Sequence, residues 1–155
     1  MTPAIDLLKQ HNISYTLHEY SHDPGNRAYG IEAAAKLGID EVRVFKTLIV
    51  SLDEHDLAVA VIPVAAMLSM KLVARALGGK KAVMATQAQA ERSSGYVLGG
   101  ISPLGQKRRL KTVIDAGALA LPSIFISAGR RGLEIELTAA DLMRLVDGTS
   151  ADLAQ

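Results

Sequence analysis

The sequence predicts an α+β fold: a mixed sheet, or a partly closed barrel, with helices packed on its outside. Three observations carry this. Short stretches of strand-like alternation are interspersed with helical patterns rather than segregated from them. Several neighbouring strand segments are joined by turn-forming residues at hairpin spacing. One segment, Leu57-Ala58-Val59-Ala60-Val61-Ile62, is apolar on both faces and so belongs in the middle of a sheet.

The elements follow in order. Thr2 and Pro3 ahead of Ile5, Leu7 and Leu8 predict an N-cap, a proline at the first helical position and a short amphipathic helix to about His11. Ser14 to Tyr20 alternates as a strand, and His22-Asp23-Pro24-Gly25-Asn26 is turn chemistry. An alanine-rich helix runs from about Gly30 to Leu37, stopped by Gly38. Val44 to Leu52 is a strand, turned back by Asp53-Glu54-His55-Asp56 into the apolar strand Leu57–Ile62. Ser69 caps a helix ending at Leu77, and Ala82–Met84 is a short strand. Thr86 caps a helix to about Arg92, closed near Gly95. After a glycine-rich loop come strands at Thr112–Asp115, Ser123–Ser127 and Leu133–Leu137, the last two joined by Ala128–Gly132. Thr138 with Asp141 resembles a capping box for a final helix, Ala139–Val146.

Composition bounds the function. A chain of 155 residues fits one domain, residues 1–155, and 49% hydrophobic content with no Trp gives it an aliphatic core. The absence of cysteine excludes disulfides, thiolate zinc sites and a cysteine nucleophile. Asp6, Lys9, His11, His18 and Glu19 interrupt any signal-peptide stretch, and no run approaches the roughly 18 apolar residues of a membrane span. The expectation is a cytoplasmic protein with no membrane partner. Net charge is only +1, yet Lys107, Arg108, Arg109 and Lys111 form one basic run, Arg130 and Arg131 another, and Lys80 and Lys81 a third. Such patches suit an anionic ligand held at one face; scattered solubilising charge is the alternative.

The richest stretch for function is Gly95-Tyr96-Val97-Leu98-Gly99-Gly100-Ile101-Ser102-Pro103-Leu104-Gly105-Gln106-Lys107-Arg108-Arg109. Its glycines let a ligand approach the main chain, so backbone N–H groups can be presented to an anion. Two known loops nearly fit and fail. A phosphate-binding P-loop requires Lys where Gln106 stands, and a nucleophile elbow around Ser102 requires Gly where Leu104 stands.

His18-Glu19-Tyr20-Ser21-His22 matches the H-E-x-x-H zinc pattern in letters. That pattern works on a helix, where residues four apart lie about 6 Å from each other. On the strand predicted here they would be separated by roughly 13 Å, so no metal is expected. Lys46 shares a strand face with Leu48 and Val50. It is either an edge lysine snorkelling to water or an ammonium at the mouth of a pocket.

Phe45-Lys46-Thr47-Leu48, Ala58-Val59-Ala60-Val61, Gly78-Gly79-Lys80-Lys81, Arg92-Ser93-Ser94-Gly95-Tyr96, the glycine loop from Gly99 to Gly105 and Arg131-Gly132-Leu133-Glu134-Ile135-Glu136-Leu137 together resemble the YbaK/EbsC family, over nearly the whole chain. The resemblance implies a free-standing relative of the editing domain inserted in bacterial prolyl-tRNA synthetases, with a mixed, mostly antiparallel β-barrel flanked by helices. It implies hydrolysis of the ester joining a wrong amino acid to the tRNA 3′ end, with cysteine on tRNA(Pro) as the foremost substrate. The partners implied are the aminoacyl-tRNA acceptor end and prolyl-tRNA synthetase, with no cofactor.

The family's Gly-x-x-x-Pro loop corresponds to Gly99-Gly100-Ile101-Ser102-Pro103. By that likeness the N–H groups of Gly99 and Gly100 stabilise the oxyanion, and Ile101, Ser102 and Pro103 contact substrate. Lys46 matches the family lysine and serves the terminal adenosine, its phosphate or the oxyanion. Tyr20, Tyr29, Ser127 and Glu134 fall on pocket positions; Tyr29 replaces a usual phenylalanine and Glu134 an aspartate. Lys107, Arg108, Arg109, Arg130 and Arg131 are the expected tRNA contacts. The implied nucleophile is the substrate's own thiol, which leaves as a cyclic thioester. An editor of alanine or serine esters and a non-catalytic tRNA- or synthetase-binding module are the alternatives.

Overall fold

In the computed structural model, which describes residues 1–155, the chain runs α1 (Pro3–Gln10), β1 (Thr16–Glu19), α2 (Tyr29–Leu37), β2 (Phe45–Leu52), β3 (Asp56–Pro63), α3 (Met70–Ala76), β4 (Ala82–Met84), α4 (Gln87–Ser94), β5 (Lys111–Asp115), β6 (Ile124–Arg130), β7 (Leu133–Leu137), α5 (Ala139–Val146) and β8 (Thr149–Ala151). Four helices start on the side chains the sequence offers. Thr2, Ser69, Thr86 and Thr138 accept the N–H of Ile5, Leu72, Gln89 and Asp141, each cap contributing about 1 kcal/mol. The reciprocal capping box is complete at Thr86 and Gln89. At Thr138 it is half formed, because the Asp141 carboxylate turns to Arg144 instead.

The strands form two sheets. One is antiparallel with the order β1-β7-β6; the other has the order β4-β2-β3-β5-β8, antiparallel from β4 to β3 and parallel from β3 to β8. The fold is therefore mixed and mostly antiparallel. The barrel expected from the sequence is not closed: a single parallel bridge, Val44 to Phe125, joins the sheets. The outer strands of the larger sheet, β4 and β8, are only three residues long and pair with no strand of the smaller one.

Strand β3 does lie at the centre of its sheet, and its two faces feed two cores. Val59 and Val61 pack with Phe45 and Ile49 of β2 against Ile124, Ile126 and Ile135 of the smaller sheet, sealed by Ile5 and Leu8 of α1 and Leu142 of α5. Ala58, Ala60 and Ile62 pack with Val50 and Leu52 against Val73, Ala74 and Leu77. Burying one such isoleucine or leucine contributes on the order of 2 kcal/mol, so the facing sheets form a rigid frame. Strand β6 continues to Arg130, three residues past the predicted end, through an irregularity between Ser127 and Arg130. Strand β8 is absent from the sequence reading.

Candidate functional site

A cavity of about 310 Å³ is walled by strands of both sheets, at the N-terminal end of β2. Its walls come from separate parts of the chain: Tyr20 just after β1; Arg27 to Ile31 at the start of α2; Phe45 to Leu48 of β2; Val64 after β3; Leu98, Gly99 and Ile101 of the glycine loop; and Ser127 and Glu134 of β6 and β7. Ser127 and Glu134 are cross-strand partners, which places both on one face of the smaller sheet. The volume is at the low end of the range for small-molecule sites, about 300–1,000 Å³.

The glycine loop is held in place from several sides. The Tyr96 hydroxyl donates to the Leu104 carbonyl at 2.6 Å, the Leu98 N–H to Glu91 of α4 at 2.8 Å, and the Gly100 N–H to the Val97 carbonyl at 2.9 Å. Gly99 sits at φ +86°, and a Cβ there would lie 2.7 Å from the Tyr29 ring and 2.8 Å from Arg131 Nε. Only glycine fits this position, on grounds of both backbone and space. The N–H groups of Gly99 and Ile101 donate to nothing within the chain.

The polar groups of the wall are short of partners. Burial alone lowers the pKa of Lys46 and pushes Glu134 up to about 8. The Thr47 hydroxyl is buried with no hydrogen-bond partner. Burial first, and then the nearby Glu134, raise Tyr20 to about 12. Unpaired buried polar groups cost about 1–3 kcal/mol each. The Thr47 hydroxyl, together with the partnerless Lys46 and Glu134 on the same cavity, points to a polar ligand that completes them.

Seven of the residues singled out from the sequence line this cavity: Tyr20, Tyr29, Lys46, Gly99, Ile101, Ser127 and Glu134. Lys46 is half-buried on the cavity wall, paired with Ile62 of β3 on one side, while β4 joins the other side of β2 only from Val50 to Leu52. Three others lie off the cavity. The N–H of Gly100 is committed to Val97, and an added Cβ would lie 2.7 Å from Arg130 Cα. Ser102 is fully buried and its hydroxyl accepts the Leu104 N–H at 3.2 Å. Pro103 lines a separate cavity of about 170 Å³ with Arg108 and Arg109.

Sequence reasoning missed Arg27, Ala28, Gly30, Ile31, Phe45, Thr47, Leu48, Val64 and Leu98 as wall residues. Thr47 and Phe45 adjoin Lys46 in sequence, which is a usable signal. Arg27 and Val64 reach the cavity only through tertiary packing.

The basic residues divide. Lys107, Arg108 and Arg109 are exposed, with the backbone of Lys107 and Arg108 tied to Ser94 and Ser93 at the end of α4. Arg130 is exposed, 4.0 Å from Glu19. Arg131 is engaged at the cavity rim: its Nε donates to the Leu98 carbonyl at 2.9 Å, and its guanidinium lies 4.9 Å from the Tyr29 ring centre. The H-E-x-x-H letters fall on β1 and the turn after it, not on a helix. His18 pairs with Glu136 at 2.9 Å and His22 with Glu32 at 2.6 Å. No three His, Asp or Glu side chains converge in a way that could hold a metal ion, and no helix is long and apolar enough to cross a membrane.

Known proteins share this architecture. A protein of Enterococcus faecalis named "Putative Cys-tRNA(Pro)/Cys-tRNA(Cys) deacylase EbsC" is 34% identical over 152 residues, 98% of this chain and 92% of the relative. The solved structure of "a putative trans-editing enzyme for prolyl tRNA synthetase" superposes with a TM-score of 0.82 at 20% identity, covering 100% of this chain and 99% of that one. That of "hypothetical protein APE2540" gives 0.89 at 23% identity, covering 99% and 100%. These two likenesses bear on the fold. The family model for the aminoacyl-tRNA editing domain matches residues 26–145, which take in every wall of the cavity but Tyr20, and the chain belongs to that family.

Proposed function

We propose that the chain is a trans-editing hydrolase that cleaves the ester between a mischarged amino acid, cysteine foremost, and the 3′ end of tRNA(Pro). The observation that carries this reading is the set of partnerless groups around one small cavity: the Lys46 ammonium, the Thr47 hydroxyl, the Glu134 carboxyl and the free N–H groups of Gly99 and Ile101. Lys46 and the two N–H groups supply positive potential to a developing oxyanion, and the apolar Phe45, Leu48, Val64 and Ile101 exclude bulk water. A synthetase that must accept proline separates a similarly sized amino acid by only a few kcal/mol, so a second hydrolytic site is useful.

The wall holds no hydrogen-bonded nucleophile–base pair. None of the chain's histidines lines the cavity, and the Ser127 hydroxyl accepts the Gly129 N–H at 3.2 Å. This favours the substrate's own thiol. Its sulfur bonds to the ester carbonyl carbon, the carbon–oxygen bond to the ribose breaks, and the ribose oxygen takes the proton the thiol gave up. Water then opens the released cyclic thioester to free cysteine.

One observation favours a second route. A Glu134 carboxyl with a pKa of about 8 is a fair general base, which would activate water and need no thiol. Single-turnover deacylation of Cys-, Ser- and Ala-tRNA(Pro), with and without prolyl-tRNA synthetase, separates the two. Thiol assistance gives a cysteine preference over serine well beyond the roughly 100-fold that a size-measuring pocket reaches. Equal cleavage of the cysteine and serine esters selects the water route. Inertness toward every ester removes the enzyme reading and leaves a binding module.

A further inference from the structure

Arg131 belongs to a contact set that the expected role in tRNA binding does not explain. It stands in the two-residue turn between β6 and β7. Its Nε donates to the Leu98 carbonyl at 2.9 Å, one residue before Gly99. Its guanidinium lies 4.9 Å from the centre of the Tyr29 ring. Both Arg131 Nε and the Tyr29 ring crowd the space a Gly99 side chain would occupy. Tyr29 in turn meets the His22 ring at 5.7 Å, and His22 is fixed by its 2.6 Å hydrogen bond to the buried Glu32 of α2. One guanidinium thus ties together three elements that share no strand ladder: the β6–β7 turn, the glycine loop and the start of α2.

We propose that Arg131 is a positioning residue that acts through Gly99 and Tyr29, setting the loop N–H groups and the aromatic wall against the substrate carbonyl. This deepens the deacylase reading and rests on it. Arginine suits the task and lysine does not. The planar guanidinium hydrogen-bonds at its edge while its face lies on an aromatic ring, and an ammonium cannot do both in this geometry. Backbone donors act on a developing oxyanion only within a few tenths of an ångström of the right place, and a displacement near 1 Å costs on the order of 100-fold in rate. Freed from Arg131, Leu98 keeps its N–H bond to Glu91, so the loop stays folded while its far side loses its tether.

The test compares Arg131→Gln and Arg131→Lys with wild type on two substrates, Cys-tRNA(Pro) and a cysteinyl ester of adenosine that carries no phosphate. The expected result is a fall in kcat of roughly 10- to 100-fold on both substrates. KM for tRNA and the salt dependence stay unchanged, and lysine gives no rescue. Tyr29→Leu and the double variant with Arg131→Gln should be non-additive, the pair losing little more than the worse single change. A loss confined to the tRNA substrate with a shallower salt slope would make Arg131 a phosphate contact and overturn the proposal. Unchanged kcat would overturn it as well.

A readout independent of catalysis uses ¹³C-labelled tyrosine, of which the chain has four. Arg131→Gln should move the Tyr29 ring resonances and speed hydrogen exchange at the Gly100 amide, whose N–H is bonded to the Val97 carbonyl. If the wild type cleaves no ester the deacylase reading falls, and the resonances still decide the latch: unmoved Tyr29 signals sink it.

Discussion

Replacing Glu134 by glutamine should stabilise the protein in a pH-dependent way. Glu134 is 7% exposed, and burial, with no partner, raises its pKa to about 8 from the ordinary 4.5. An unfolded chain carries this carboxylate ionised above pH 4.5, whereas the folded chain keeps it protonated until about pH 8. Folding therefore takes up a proton in that window. The stability associated with the neutral group is fully present below pH 4.5 and is lost as pH rises through 8. At about 1.4 kcal/mol per pH unit, the displacement corresponds to at most about 5 kcal/mol.

Water entering at the cavity mouth reduces that ceiling, and a gain of about 2–3 kcal/mol for Glu134→Gln at pH 8 is the working figure. Urea unfolding measured at intervals from pH 5 to 8.5 reads this directly. With a slope of about 1–3 kcal/mol/M, the midpoint of the variant should exceed wild type by about 1–2 M at pH 8 and match it near pH 5. The variant should be flatter across the range. Parallel curves for the two proteins would refute a buried, partnerless Glu134.

Three further changes follow from the same wall. Lys46→Ala should abolish deacylation with little loss of stability, because it removes a desolvated cation that no carboxylate pairs with; wild-type turnover in the folded variant removes Lys46 from the site. Gly99→Ala should be both inactive and destabilised by about 1–3 kcal/mol, since an L-residue at φ +86° is strained and its Cβ strikes Tyr29; thermal unfolding and single-turnover rates check the two effects separately. Neutralising Lys107, Arg108 and Arg109 together should weaken tRNA binding and flatten its salt dependence by about 2–3 units of slope, while leaving the preference between cysteine and serine esters alone; an unchanged slope places the acceptor arm elsewhere.

What the sequence disclosed was local. Helix starts at Thr2, Ser69, Thr86 and Thr138 were legible because each is a short-range hydrogen bond to a residue three positions on. The central place of β3 was legible from its two apolar faces. Strand β8 was not, since Thr149-Ser150-Ala151 has neither alternation nor length and is a strand only because β5 offers it a parallel edge. The site divides in the same way. Glu134 alternates with Ile135 like any solvated residue, and only the cover provided by the rest of the cavity wall makes it a buried acid. Ser102 and Gly100 stand inside the glycine motif, yet the loop turns them into its own hydrogen bonds and packing. A motif fixes which residues are near a site; the path of the backbone through it decides which of them face in.

That distinction bears on selectivity. Tyr29 and Glu134 stand on the same small cavity. Both side chains take up space on the wall that also carries Lys46. A smaller space lined by partnerless polar groups discriminates in two ways. It excludes bulk by packing, worth about 1–3 kcal/mol per methylene, and it penalises any ligand that leaves its buried groups unmatched, which can reach 10⁴-fold or more. The second is the stronger filter. Thr47, Glu134 and Lys46 find no hydrogen-bond partner within the chain, so an amino acid that satisfies them gains what an equally small apolar one cannot. The pocket is therefore better built to recognise the polar ends of an aminoacyl ester than to measure its side chain, and under the proposed thiol route the choice of cysteine falls to the reactivity of the thiol.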